Sequence, residues 1–325
     1  MPGRGLRSCS SGYEGNGFQC DQLEECVRGL DDCHPLAECV DGGWLYGCEC
    51  PDGYLGDGRG PSGCFLPSSR VTEPTIPPIG ARMCPTFTVG THTLSEHLGA
   101  TLVVGEKSAT PDAPLLLYWH GTGSTAGEFL STLPEAMQRE IEDAGGIIAS
   151  FDTSTGTGGD CSGTRIFSKD DFEVADLIVA CAVRDHNIDP RRIYVTGCSA
   201  GGLQAGCMAI ERSSYIAAVA TNSGGLAYRE TMQGAHVPAA FMMFSGASGG
   251  PVVIDFRQTS DALAAQIELF GGEALGCAHA MGHCGAPDDL YLDAWEFMKT
   301  HPFGVGRAPF DAGLPAGLPG YCERY

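Results

Sequence analysis

Sixteen cysteines constrain this chain more than any other feature: eight lie within the first 64 of its 325 residues and eight are spread over the remainder. So many thiols do not suit a reduced cytosolic enzyme, and their clustering matches small secreted domains that replace a hydrophobic core with cross-links. The expected compartment is therefore oxidising and extracellular. No apolar run approaches the ~18 to 20 residues that span a bilayer, and the opening "MPGRGLRSCSSG" lacks the apolar stretch of an export signal. The reading is of a secreted chain whose signal was trimmed, or of a fragment of a longer protein. Nineteen basic against forty acidic residues give a formal charge of −21, which repels nucleic acid and anionic membranes and removes both from the expected partners. The length accommodates a catalytic domain of about 250 residues with a smaller module attached.

From Cys26 the cysteines are spaced C-x6-C-x5-C-x8-C-x-C-x13-C, ending at Cys64, with glycines and aromatics around the close pair. Spacing alone leaves the pairing of these six open. The run "CHPLAECVDGGWLYGCEC" followed by "PDGYLGDG" resembles an EGF-like domain, which would occupy residues 21–64. The resemblance implies the bridges Cys26–Cys39, Cys33–Cys48 and Cys50–Cys64. Upstream, Cys9, "SSGYEGNG" and Cys20 are similar to the last loop of the same module. Residues 1–20 thus read as the end of a truncated preceding repeat, with Cys9–Cys20 as its bridge. Many EGF-like domains bind calcium just before the first cysteine, and Gln22, Glu24, Glu25 and Asp41 stand near those places. Hard cations prefer such oxygen ligands, although Gln22 and Glu24 replace the usual Asp or Asn and an acidic solvated face explains the same residues. Calcium at these four is the one cofactor expectation. The module reads as a spacer or surface-attachment unit whose partner the sequence does not name.

Residues 65–80, "FLPSSRVTEPTIPPIG", contain four prolines and no apolar periodicity, the composition of a semi-rigid spacer. The larger domain is placed at 81–325. There, apolar runs of four to seven residues alternate with helical patterns, as in βαβ units around a mostly parallel sheet. "APLLLYWHG", "GGIIASFD", "RRIYVTG", "YIAAVATNSG" and "PAAFMMFSG" read as buried strands, and "DDFEVADLIVACAVRDHN" and "AGGLQAGCMAIERS" as helices.

Gly197-Cys198-Ser199-Ala200-Gly201 fits G-x-S-x-G, but with 47 glycines in the chain the pentapeptide alone is weak, and Gly246-Ala247-Ser248-Gly249-Gly250 fits as well. Context separates them. A strand, a sharp turn and a helix are needed to lift a serine oxygen above a sheet, and only Ser199 has "RRIYVTG" before it and a helix-compatible run after it. Such a serine needs a histidine base and a carboxylate to orient it, in the chain order serine, acid, histidine. His283, in the glycine-flanked "CAHAMGHCGAP", is the expected base, with His279 as rival; His236 precedes the candidate acid and breaks the order. Between Ser199 and His283 the aspartates are Asp255 and Asp261. Asp261 lies early in a helical pattern, where a favourable dipole explains it, so Asp255 is preferred. Two backbone donors for the tetrahedral oxyanion are expected at Ala200 and at Thr122 in "WHGTGST", with Gly123 as alternate.

At this point "LLLYWHGTG", "DHNIDPRRIYVTGCSAGG", "YIAAVATNSGG" and "GHCGAP" resemble the secreted polyhydroxybutyrate depolymerase and feruloyl esterase-like hydrolases of the α/β-hydrolase superfamily, from about Cys84 to Phe303. The resemblance implies an α/β fold with a mostly parallel sheet and helices on both faces. It also implies extracellular ester hydrolysis on a polyester or an acylated plant polysaccharide, without metal or organic cofactor in the catalytic domain. One departure concerns the acid: the family commonly carries a His-Gly pair and then an aspartate after the seventh strand, where this chain reads Ser245-Gly246-Ala247-Ser248-Gly249. Cys84, Cys161, Cys181, Cys198, Cys207, Cys277, Cys284 and Cys322 remain, with their pairing open. Bridges at Cys198 and Cys284 would fix both catalytic loops. Zinc is disfavoured by the lack of a C-x2-C pair. Competing functions are a serine peptidase of the same fold and a non-catalytic adhesion protein that has lost its acid.

Overall fold

In a computed structural model of the chain, the described residues are 9, 13–15, 19–22, 24–42, 46–54, 58–59, 64, 73–96, 98–156, 158–233, 236–245, 254–305, 314 and 317–325. Ser248 and residues 65–72 of the expected spacer lie outside them. The chain divides into two units, Met1–Ser69 and Arg70–Tyr325.

The first unit has short antiparallel ribbons in place of a core. β1 (Tyr13–Gly15) pairs with β2 (Cys20–Gln22), a single helical turn α1 (Glu25–Arg28) follows, and β3 (Glu38–Val40) pairs with β4 (Gly47–Glu49). Val27, Leu36 and Val40 are exposed, so apolar burial contributes little and cross-links carry the stability. These are Cys9–Cys20, Cys26–Cys39, Cys33–Cys48 and Cys50–Cys64. Asp41 accepts the Cys26 N–H at 3.1 Å, while Glu25 is buried and Glu24 exposed. Among the described residues, Glu24, Glu25 and Asp41 do not converge as a three-ligand metal group.

The second unit is built on a nine-stranded sheet. Its strands are β5 (Gly90–Thr93), β6 (Gly99–Val104), β7 (Ala113–Trp119), β8 (Ile147–Phe151), β9 (Ile188–Cys198), β10 (Ala218–Asn222), β11 (Ala239–Ser245), β12 (Ala274–His279) and β13 (Cys322–Arg324). Their spatial order is β13-β12-β11-β10-β9-β7-β8-β6-β5. The six strands from β12 to β8 are parallel; β5, β6 and β13 run antiparallel to their neighbours. Every residue of β7 and β8 is buried, as continuous apolar strands require when helices cover both faces.

Those helices are α2 (Phe129–Thr132), α3 (Glu135–Asp143), α4 (Asp171–Asp185), α5 (Ala200–Glu211), α6 (Phe256–Leu269) and α7 (Asp288–Thr300). Trp119 stacks on Phe151 at 4.1 Å between ring centroids and meets Phe167 and Phe172 edge-on. α5 is buried from Ala200 through Ile210, because small residues let it press onto the sheet: Gly202 lies against Gly224, and Gly206 against Gly225.

β5, β6, β12 and β13 are strands that the sequence did not declare. β5 and the start of β6 alternate in burial, giving a weaker apolar signal than a central strand. β12 reads ALGCAH, with no β-branched or large aromatic residue to mark it as a strand. The remaining bridges are Cys84–Cys181, Cys161–Cys207, Cys198–Cys284 and Cys277–Cys322.

Candidate active site

The parallel strands deliver their carboxyl ends to one edge of the sheet, the edge where ligands bind in folds of this class. β9 ends at Cys198 and α5 begins at Ala200, so Ser199 is the whole of the turn between them. Its φ of 57° and ψ of −121° are strained for a residue with a side chain, a cost of order 1–3 kcal/mol that surrounding packing must hold. The flanking glycines permit it. A Cβ on Gly197 would meet the Gly201 and Trp119 carbonyl oxygens at 2.5 Å, and one on Gly201 would run into the Trp119 carbonyl.

The loop after β12 brings His283 over this turn, with Nε2 2.9 Å from Ser199 Oγ. Ser199 is buried, while the imidazole keeps an open edge. Phe256 stacks on that ring at 5.0 Å between centroids. Partial desolvation holds the His283 pKa below the ordinary imidazole value, and the charge of Glu128 opposes that shift. His283 is therefore disposed to be neutral and to accept the serine proton.

Two residues at the end of β10 that sequence reasoning missed tie both halves of this pair together. The Asn222 carbonyl accepts the Ser199 N–H at 3.0 Å, and its side-chain amide donates to the Cys284 carbonyl at 3.0 Å and to the Tyr291 hydroxyl at 2.7 Å. Ser223 Oγ accepts the Cys284 N–H at 3.2 Å. The Cys198–Cys284 bridge adds a covalent link between the residue before Ser199 and the residue after His283.

On the opposite side, β7 runs into His120, Gly121 and Thr122. His120 is fully buried, with Nδ1 2.8 Å from the Gly121 carbonyl and Nε2 3.2 Å from Thr153 Oγ1. Thr122 is exposed at the edge of the site. Ala200 opens α5, where a backbone N–H has no intrahelical acceptor.

The other expectations fall elsewhere. His279, at the end of β12, is buried and accepts the Met281 N–H at 3.3 Å. His236 is stacked on Phe303 at 4.0 Å, with Nε2 3.2 Å from the Ala217 carbonyl. Asp261 accepts the Tyr325 hydroxyl at 2.6 Å. The helix-terminal role that the sequence assigned to Asp261 belongs to Asp255, which caps α6 by accepting the Arg257 and Gln258 N–H groups at 3.0 and 3.3 Å. Asp255 is exposed, and among the described residues its carboxylate makes no hydrogen bond to His283.

No family model matches the chain. In the N-terminal part, 39 residues, 12% of the chain, are 46% identical to Signal peptide, CUB and EGF-like domain-containing protein 2 of Mus musculus. A stretch of 56 residues, 15% of the chain, is 43% identical to Cubilin homolog of Caenorhabditis elegans. The chain spans only 4% and 1% of the length of those two relatives. Among solved structures, native pOPH covers 75% of this chain and 96% of its own at 15% identity, with a TM-score of 0.56. Native sOPH covers 75% and 97% at 17% identity, with a TM-score of 0.57. With the strand order above, these likenesses identify the architecture: an α/β-hydrolase fold, preceded by a disulfide-rich EGF-like module.

Proposed function

We propose that the chain is an extracellular serine ester hydrolase, with a polyester of the polyhydroxyalkanoate type or an acylated, feruloylated polysaccharide as its substrate class. The observation that carries this reading is the 2.9 Å contact between His283 Nε2 and Ser199 Oγ at a strained strand-to-helix turn. pOPH, a neighbour in fold, has been solved with a serine replaced by alanine in complex with pNPB.

In the proposed reaction, His283 Nε2 takes the Ser199 proton as Oγ attacks the ester carbonyl carbon, and the carbonyl π electrons move onto oxygen. The N–H groups of Ala200 and Thr122 hold that oxyanion. Collapse expels the alcohol, which receives the proton from His283. Water, deprotonated by the same imidazole, then releases the acid and returns the proton to Ser199. No metal or organic cofactor takes part in these steps.

Asp255 is proposed as the carboxylate that orients the base. It is the one acidic residue between β11 and α6, and its neighbour Phe256 already lies against the imidazole. To serve, it must exchange the α6 amides for His283 Nδ1.

Hydrolysis of a short-chain p-nitrophenyl ester by the oxidised protein and by Ser199→Ala, Asp255→Asn and Asp261→Asn variants tests the reading. Turnover by wild type, none by Ser199→Ala, and a fall of about 10²-fold or more in Asp255→Asn alone are the expected results. An inert wild type that also ignores a fluorophosphonate removes the esterase reading and favours the binding-protein alternative.

A further inference from the structure

The second carboxylate at this site lies on the oxyanion side, on a residue the sequence did not single out. Glu128 closes a short 3-10 turn, Ala126–Glu128, directly after the loop that leaves β7. Its Oε1 accepts the Tyr118 hydroxyl at 2.8 Å and the Gly121 N–H at 3.0 Å, and its Oε2 lies 3.3 Å from the same nitrogen. Gly121 is buried beside Ser199. A Cβ there would stand 3.5 Å from Glu128 Oε2 and 3.6 Å from both Ser199 Cβ and the Cys198 carbonyl oxygen. The carboxylate thus grips the backbone one residue before the expected oxyanion donor and beside the nucleophile.

We propose that Glu128 is a positioning residue of the catalytic site: it fixes the Gly121 amide so that the next N–H, that of Thr122, points at the substrate oxyanion, while its charge faces the His283 imidazolium. The proposal rests on the esterase reading. Backbone donors stabilise a transition state only when they are held in place before the charge develops, and a segment with a glycine on each side of Thr122 has no such rigidity of its own. The Tyr118 hydroxyl, pushed well above its ordinary pKa by burial and by the Glu128 charge, remains a donor and anchors the carboxylate to β7. The titratable groups facing Glu128 are Tyr118 from β7, Tyr291 from α7 and His283. The imidazole in turn faces Ser199 and the Phe256 ring.

The test compares Glu128→Gln and Glu128→Ala in the full-length oxidised protein, with p-nitrophenyl ester kinetics across pH. Glutamine keeps an acceptor for both donors and loses the charge. Its kcat should fall less than tenfold, and the acidic limb of kcat/KM should move down by about 0.5 unit, because an imidazolium without a nearby anion gives up its proton more readily. Alanine loses both functions, so kcat should drop by about 10²-fold with KM changed by less than about threefold. The Gln variant, being nearly isosteric, keeps the test decisive if the Ala variant misfolds.

Wild-type values of kcat and an unmoved acidic limb in an otherwise active protein overturn the Glu128 role alone. A wild type that neither turns over ester nor reacts with a fluorophosphonate removes the esterase reading and this role with it.

Discussion

At single residues, the proposed chemistry depends on protonation and on hydrogen bonds that span loops. The proposed base, His283, accepts a proton only when neutral, and desolvation lowers its pKa. In Asp255→Asn, where no carboxylate can reach Nδ1, the acidic limb of kcat/KM should therefore fall at a pH below the ordinary imidazole value of about 6.5, with activity present above it and lost as pH drops through it. A limb above that value would contradict the environment described for the ring. Asn222 offers a second test. Asn222→Ala removes the donors to Cys284 and Tyr291 while keeping the carbonyl that receives the Ser199 N–H. Turnover should fall by about 10-fold or more with KM nearly unchanged, since the loss is in placing the base. The strand-turn-helix setting of Ser199 was legible in the sequence because it is local: a buried strand before it and a helix after it. Asn222, Ser223 and Glu128 were not, because each acts on backbone that is distant in the sequence or bent back by a loop, and no periodicity records such a contact.

At the scale of elements, the site depends on how closely α5 meets β7 and β9. Gly201→Ala drives a methyl group into the Trp119 carbonyl and must push the helix away, at a cost of about 2 kcal/mol or more. Denaturant unfolding should show that loss, and kcat should fall with it because Ser199 begins the same helix. The Cys198–Cys284 bridge couples the turn after β9 to the loop after β12. A Cys198→Ser, Cys284→Ser double variant should retain its far-UV circular dichroism and lose most of its kcat, whereas unchanged turnover would mean that the Asn222 and Ser223 hydrogen bonds suffice. The five central strands could be read directly, since parallel strands covered on both faces are apolar throughout. β12, which aims His283, stayed hidden because Ala, Gly and Cys fill a narrow strand without marking it. Asp255 shows the complementary difficulty: chain order put it forward as the acid, yet the same position begins α6, whose unpaired N–H groups compete for its carboxylate.

At the scale of the whole molecule, the eight bridges suit an oxidising medium. Chains produced in a reducing cytosol should have far lower specific activity than chains exported through an oxidising compartment, and oxidative refolding of the former should restore it. In the proposed reaction one serine, activated by one histidine, carries out the ester chemistry. Fluorophosphonate treatment of the oxidised protein, followed by mass spectrometry of its peptides, reports directly on that serine. A single adduct on the peptide containing Ser199, absent from Ser199→Ala and suppressed when His283 is replaced by alanine, is the predicted result. No adduct, or an adduct on Ser248 that persists in Ser199→Ala, would contradict it.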